Sequence, residues 1–131
     1  MLRIPTDLSV ELEDLVHRTI GCCISVHRAL GPGLLERVYA GAVRLELQAE
    51  GITFEQEKRY PVFYRDCLLC EHRVDLIVAN QLVLEIKSVE QLASVHRGQV
   101  RTYLRLSKLP VGLLVNFNVG ALPDGLRRIV L

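Results

Sequence analysis

The amino-acid sequence predicts an α/β fold, more specifically an α+β arrangement with a mixed β-sheet. Two observations support this prediction. Apolar residues recur with a helical period of about 3.6 in the first part of the chain and then concentrate in short β-rich runs. A further helical stretch separates the third β-rich run from two final strands, which gives the order α, α, β, β, β, α, β, β. Helices and strands interleaved in this way pack as helices against one sheet.

Two helices begin the chain. The first is predicted over residues 9–30, with Asp7 or Ser9 as its N-cap. The "GPG" stretch at 31–33 ends it, because glycine and proline interrupt helices. The second helix is predicted over residues 34–50 and ends before a glycine.

The remaining elements build the sheet. The β-rich runs occupy residues 52–65, 68–79 and 82–89. A helix is then predicted at 94–107, and strands are predicted at 111–117 and 126–131. The chain contains no internal repeat and no low-complexity segment, so one folded unit over residues 1–131 is expected.

Composition narrows the class of protein. Hydrophobic residues make up 50% and charged residues 24% of the chain, which is typical of a globular protein and excludes a disordered one. The net charge of +1 gives no overall attraction for nucleic acid, so any such site must be a local patch. No apolar run is long enough for a transmembrane helix, and "MLRIPTDLSVELEDL" becomes acidic too early for a signal peptide. We therefore expect a cytoplasmic protein with no membrane association.

The turn between the second and third strands sets the register of their hairpin. If residues 79–81 form a loop centred on Asn80, one face is apolar and contains Val74, Leu76, Val78, Leu82, Leu84 and Ile86. The other face carries Ile77, Val83, Lys87 and two directly opposed carboxylates, Asp75 and Glu85. A two-residue loop would split the charges between the faces, so the hydrophobic pattern favours the first register.

The opposed carboxylates point to a particular chemistry. Asp75 and Glu85 repel each other unless a cation, a shared proton or Lys87 lies between them. Carboxylate oxygens are ligands that Mg²⁺ accepts, and a neighbouring lysine can stabilise the charge that develops on a phosphate. The three residues therefore suit metal-assisted hydrolysis of a phosphodiester. The alternative is that Glu85 and Lys87 form an exposed pair on an edge strand.

Two sequence patterns carry a resemblance to a known family. "VD-x₉-EIK", with Asp75, Glu85 and Lys87, resembles the D-xₙ-(D/E)-x-K pattern of the PD-(D/E)XK nuclease superfamily, although Val74 replaces the proline. "GLLERVY" at 33–39 fits the pattern of the GxxExxY protein family within that superfamily. The resemblance implies a restriction-endonuclease-like core of one helix, three antiparallel strands, a helix and a strand. An extra N-terminal helix and a short C-terminal strand would flank this core, and the nuclease-like domain would span residues 1–131.

The resemblance also implies roles for individual residues. The implied metal ligands are Asp75, Glu85, the Ile86 backbone carbonyl and, as a further candidate, Glu36, with Mg²⁺ as the ion and Mn²⁺ as its substitute. Lys87 would act on the attacking water or on the scissile phosphate, and Gln99 resembles the helix residue that borders the site. The implied reaction is hydrolysis of nucleic acid, DNA rather than RNA, by a metal-activated water.

Other patterns leave alternatives open. The four cysteines, Cys22, Cys23, Cys67 and Cys70, are interpreted as small buried hydrophobes, and a thiol–metal site at the C-x₂-C pair is the weaker alternative. A helical stripe of Arg97, Arg101, Arg105 and Lys108 lies away from Gln99 and is expected to face solvent. The alternative function is a non-catalytic nucleic-acid-binding or protein-interaction module that retains the nuclease fold. A homodimer or a protein partner is a further hypothesis, since so small a nuclease has little surface to grip its substrate.

Overall fold

The computed structural model describes residues 7–131, and the first six residues of the expected domain lie outside this range. The helices of the described part are α1 (Val10–Leu30), α2 (Glu36–Ala49) and α3 (Ser94–Ser107). The strands are β1 (Phe54–Tyr64), β2 (Cys67–Val78), β3 (Leu82–Lys87), β4 (Val111–Asn116) and β5 (Leu126–Ile129), with a 3-10 turn at Leu122–Gly125. Within residues 7–131, no helix combines the length and apolar character needed to cross a membrane.

The arrangement of these elements confirms the predicted fold class. The strands follow one another across the sheet in chain order, β1-β2-β3-β4-β5. Neighbouring strands are antiparallel except β3 and β4, which are parallel and are connected by α3. From α2 to β4 the structure contains the predicted helix, three antiparallel strands, helix and strand. Helix α1 precedes this core, and β5 follows it.

Both faces of the central strands are covered. One face packs against α1 and α2 in a core that includes Tyr39 and Leu84. The other face packs against α3 in a core that includes Tyr103 and Leu114. Strands β3 and β4 are accordingly almost continuous apolar runs, as expected for parallel strands that are buried on both sides.

The ends of α1 explain why it forms where the sequence predicts it. The Ser9 hydroxyl accepts a hydrogen bond from the Leu12 N–H at 3.1 Å, so Ser9 rather than Asp7 is the N-cap. Gly31 ends the helix with φ of 68°, and its N–H donates to the His27 carbonyl at 2.8 Å. A left-handed residue at this position is readily supplied by glycine.

The β2–β3 hairpin has the predicted register. Leu76 pairs with Leu84, and Val78 pairs with Leu82. The loop at residues 79–81 is closed by a hydrogen bond from the Gln81 N–H to the carbonyl of the last β2 residue, at 3.0 Å. The alternation of apolar and polar residues is therefore sufficient to place this turn.

The prediction that Val74 shares the apolar face of Leu76 is wrong. It packs in the α3-side core with Ile77, not in the core that contains Leu76. The backbone beside it departs from a regular ladder, because pairing of β2 with β3 stops at Leu76. On β1, the other strand beside Val74, Glu57 has φ of 52° and lies between two residues, Gln56 and Lys58, that pair with β2. Such an irregularity breaks the strict alternation of faces on which the prediction rests.

The cysteines also require a correction. Cys22 and Cys23 are buried on α1, as predicted, but Cys67 and Cys70 are exposed free thiols. These two lie in the outer half of the β1–β2 hairpin, where most residues are exposed, including Phe63, Tyr64, Leu68 and Leu69. The outer half of the hairpin supplies no core in which a small hydrophobe could be buried.

Gly112 on β4 marks a close approach between α3 and the sheet. An added Cβ atom would lie 2.6 Å from Val100 Cγ1, and Val100 is fully buried.

We expect Gly112→Ala to lower the free energy of unfolding by about 1–3 kcal/mol through overpacking, as measured by urea denaturation. The control is Gly98→Ala on α3, where nothing lies within 4 Å of the added atom. That substitution should be neutral or stabilise the fold by up to about 1 kcal/mol. Equal destabilisation by both would contradict this account of the packing.

Candidate active site

Asp75 and Glu85 meet where β2 and β3 separate. The ladder between the two strands ends at the Leu76–Leu84 pair. Beyond it, the Ile86 N–H donates to Asp75 Oδ2 at 2.9 Å, so a side chain takes the place of a strand carbonyl. This hydrogen bond fixes the Asp75 carboxylate against β3 and holds it close to the Glu85 carboxyl.

Glu85 is an acid in the interior of the sheet. Its exposed fraction is 3%, and β3 is the third of five strands, so the alternative of an exposed pair on an edge strand is wrong. Burial, followed by hydrogen bonding to Asp75 and the charge of Asp75, raises the pKa of Glu85 from 4.5 to about 9, and Lys87 and Tyr103 oppose the rise. Near neutral pH, Glu85 therefore holds a proton that its hydroxyl can share with the carboxylate of Asp75.

The Ile86 carbonyl lies on the same side of β3 as Asp75. In a strand, the N–H and C=O groups of one residue point to the same edge. The Ile86 N–H points to Asp75, and the ladder with β2 has already ended at this point. Two carboxylates and one strand carbonyl thus surround the gap between β2 and β3.

Lys87 occupies the last position of β3 and is half-buried. Its ammonium is close enough to Glu85 to lower the pKa of that carboxyl, and its carbonyl accepts from the Phe117 N–H at 2.9 Å. The following loop is held by buried Asn116, which accepts from the Val89 N–H at 3.0 Å and donates to the Val89 carbonyl at 2.9 Å. These contacts fix the end of the strand and hence the position of Lys87.

Glu36 begins α2 and is exposed. The segment before it is attached near the end of β3, because the Ser88 hydroxyl donates to the Leu34 carbonyl at 2.6 Å. However, α2 covers one face of the sheet, whereas the Glu85 side chain interacts with Tyr103 on the other. The structure brings Glu36 to the end of the sheet at which β3 finishes but does not group it with Asp75 and Glu85.

Gln99 and Tyr103 lie one helical turn apart on the side of α3 that covers the sheet. Burial, followed by the charges of Glu85 and Asp75, raises the pKa of Tyr103 to about 12, which places its hydroxyl beside the carboxylates. Helix α3 returns the chain from the end of β3 to the start of parallel β4, so Gln99, one turn before Tyr103, lies toward the end of the sheet at which β3 finishes. Sequence reasoning assigned Tyr103 no role, and its spacing of four residues from Gln99 is the signal that points to it.

The donors at this point fit a divalent cation. Carboxylate and carbonyl oxygens are the ligands that Mg²⁺ prefers, and they are already close together here. Gln99 Oε1 is buried and has no hydrogen-bond partner among the described residues, so it is an oxygen donor available to a ligand. In residues 7–131 no three His, Cys, Asp or Glu side chains form a group that could hold a metal, at the C-x₂-C pair or elsewhere. Water or substrate oxygens would therefore complete the coordination, as is common for Mg²⁺.

The arrangement of these residues points to one class of protein. Paired carboxylates with an adjacent lysine, at the end of a central strand, are typical of hydrolases that cut phosphodiesters with a metal ion. A family model described as the PD-(D/E)XK nuclease superfamily matches residues 13–129, and the chain belongs to this superfamily. Its nucleases generally use divalent metals and act on nucleic acid. No curated protein and no solved structure gives a significant match.

The buried Glu85 carboxyl makes the stability of the protein depend on pH. Because its pKa is raised from 4.5 in an exposed state to about 9, the folded chain binds this proton more tightly than the unfolded chain does. Its contribution to stability is fully present below about pH 4.5 and is lost as the pH rises through about 9. In EDTA, we expect Glu85→Gln to remove this loss and to stabilise the fold at high pH by on the order of 1–3 kcal/mol.

Urea denaturation between mildly acidic and alkaline pH measures this dependence. The matched control is Glu90→Gln, which changes an exposed glutamate in the loop after β3. It should leave the pH dependence of the unfolding free energy as in the wild type. If Glu85→Gln and Glu90→Gln give superimposable pH profiles, Glu85 does not carry the proton.

Proposed function

We propose that this chain is a metal-dependent nuclease that hydrolyses phosphodiester bonds of nucleic acid. The observation that carries the proposal is the pairing of half-buried Asp75 with buried Glu85 beside Lys87, where β2 and β3 separate. An apolar residue at position 85 would suit the core better, because a buried carboxyl costs stability. Ionisable groups with strongly perturbed pKa values concentrate at functional sites. Membership of the superfamily supplies the reaction class.

The residues of the site have distinct roles in this proposal. Asp75, Glu85 and the Ile86 carbonyl would hold Mg²⁺, for which Mn²⁺ is a substitute. The bound ion supplies Lewis-acid stabilisation of the phosphate and activation of the attacking water. Lys87 directs its ammonium to a phosphate oxygen and stabilises the negative charge that develops during hydrolysis. Gln99 uses its unpartnered amide oxygen to orient a water at the site.

The surroundings of the pair are suited to an anionic substrate. Arg73 on β2 is close enough to Tyr103 to lower the pKa of that hydroxyl, and its side chain is 59% exposed. It therefore lies near Tyr103 with most of its side chain in solvent, 3.9 Å from the carboxylate of exposed Glu57, where an arriving phosphate would compete for it. Glu36 would act through a water from the start of α2. The preference for DNA over RNA rests on the superfamily resemblance alone.

The proposal includes membership of the GxxExxY family, whose pattern has a structural rationale here. Gly33 has φ of 100°, which an L side chain rarely adopts. Tyr39 is fully buried, its hydroxyl donates to the Gly31 carbonyl, and its ring stacks on Phe117 with 4.6 Å between ring centroids. The glycine and the tyrosine together build the turn that presents Glu36 at the start of α2.

A second function is favoured by one observation. In the described residues, no third carboxylate joins Asp75 and Glu85, so the site provides fewer charged ligands than many metal centres. A non-catalytic module that retains the nuclease fold, acting alone, as a homodimer or with a protein partner, would need no more than this. Metal binding and cleavage therefore have to be measured separately.

Cleavage is the direct test of the proposal. We expect Mg²⁺- or Mn²⁺-dependent cleavage of at least one member of a panel of single- and double-stranded DNA and RNA. Lys87→Ala should reduce the rate by about 10²-fold or more, because it removes a cation that stabilises charge developing in the transition state. Lys108→Asn is the matched control, since Lys108 is exposed at the end of α3 with φ of 60°, a conformation that asparagine tolerates. Equal cleavage rates for the wild type and both variants would exclude a catalytic role for Lys87.

Metal binding tests the site without requiring turnover. In titration calorimetry with Mn²⁺, we expect one binding event that Asp75→Asn abolishes or weakens by about tenfold or more, because one of the two carboxylate ligands loses its charge. Asp66→Asn is the matched control, since Asp66 is exposed in the β1–β2 turn at φ of 63°. Binding that survives Asp75→Asn would place the ion elsewhere. Normal binding without cleavage of any substrate would favour the non-catalytic module.

A further inference from the structure

A groove rich in arginine runs between α3 and β5, apart from the candidate active site. Its lining residues are Arg97, Arg101, Arg127, Arg128, Ile129 and Val130. No aspartate or glutamate of the described chain lines it, although the net charge of the whole protein is only +1. The groove therefore concentrates positive charge beside the apolar side chains of Ile129 and Val130.

The four arginines differ in how their charges are used. Arg128 forms a bidentate ion pair with Glu13, with N–O distances of 2.6 and 2.8 Å. Arg127 donates to two backbone carbonyls, at 3.1 and 2.8 Å, which hold its guanidinium in place without neutralising it. Arg97 and Arg101 are exposed and form none of the ion pairs found among the described residues. Three positive charges in the groove are thus available to a ligand.

The sheet register places this groove relative to the candidate active site. Glu85 on β3 pairs with Leu114 on β4, and Leu114 pairs with Arg127 on β5. Directly paired residues share one face of a sheet, so the three side chains form a row on the face that α3 covers. Strands are separated by about 4.8 Å, which sets Arg127 about 10 Å from Glu85 along this row. Helix α3 packs over Leu114, so the site and the groove lie on its two flanks.

We propose that this groove, termed here the arginine groove and formed by Arg97, Arg101 and Arg127 beside Ile129, binds the phosphate backbone of a nucleic-acid strand at a distance from the bond that is cut. The identity of the ligand rests on the proposed function, whereas binding in the groove does not require catalysis. A substrate that contacts both flanks of α3 would also meet the arginines of the groove. This local positive charge would favour binding even though the net charge of the whole domain is near zero.

The geometry of the arginines favours phosphates. Arg97 and Arg101 are four residues apart on α3, a rise of about 6 Å, and one strand of duplex DNA advances about 3.4 Å per phosphate. Their side chains can therefore reach phosphates that are one or two positions apart. The planar fork of a guanidinium binds two oxygens of one phosphate, which makes arginine well suited to this interaction. An acidic protein segment offers carboxylates to the same forks and is the competing ligand.

Binding measured in EDTA separates the groove from the active site. The probes are a short fluorescein-labelled DNA duplex and its isolated strand. Their binding to the protein is measured by fluorescence anisotropy over a range of salt concentrations. The test variant is Arg97→Ala with Arg101→Ala, and its matched control is Arg28→Ala with Arg105→Ala. Each pair removes two exposed positive charges from helices, but the control residues lie outside the groove. Unfolding midpoints confirm that all variants fold.

We expect the groove variant to weaken binding by about tenfold or more and to reduce the salt slope by about 0.9 for each duplex phosphate that the protein no longer neutralises. The control should change the dissociation constant by less than about twofold. Comparison of duplex with single strand identifies which form the groove holds. Equal effects of the two variants, no binding by the wild type, or displacement of DNA by polyglutamate at matched charge would each overturn the inference. Loss of cleavage in Lys87→Ala with unaltered DNA binding in the groove variant would retain the proposed function and reject only the groove.

Discussion

The burial of one carboxyl group in the middle of the sheet is the constraint on which the rest of the site depends. Glu85 occupies a central strand between two helical layers, where water cannot solvate a charge. It is accommodated because Asp75 reaches across the gap between strands, and because Lys87 and Tyr103 provide favourable partners. The hydrogen bond from the Ile86 N–H to Asp75 makes this possible, since it uses the backbone group that the ended ladder leaves free.

The two faces of the sheet differ in what they bury. The face beneath α1 and α2 is apolar along β3, where Leu84 and Ile86 belong to the larger hydrophobic core. The face beneath α3 contains Glu85 and the hydroxyl of Tyr103 within a smaller apolar cluster. Because neighbouring residues of a strand alternate between faces, one short segment serves both purposes. The fold can therefore keep a full core on one side while a polar group is buried on the other.

Much of the fold and part of the site can be predicted from the sequence because they depend on local periodicity. The turn at Asn80 follows from the alternation along β2 and β3, and so does the meeting of the two carboxylates. The position of Val74 cannot be predicted in this way, because its face depends on where the ladder stops. The role of Tyr103 cannot either, because a hydroxyl on a helix gains its partner only when α3 is packed across the sheet. The exposure of Cys67 and Cys70 likewise depends on the length of a hairpin that no helix covers.

The same carboxylates that would bind a cation bind a proton in its place, and this links metal affinity to folding. A carboxyl that is protonated in the interior must lose its proton before it can coordinate an ion, so the two ligands compete for one site. Rising pH removes the proton and leaves two adjacent negative charges, which destabilise the fold. At the proposed metal site, the same rise in pH would increase the affinity for a divalent ion, which would restore stability by binding the folded state. The proposed metal site therefore implies opposite pH dependences of stability with and without metal, and this consequence of the Asp75–Glu85 pair does not depend on the substrate.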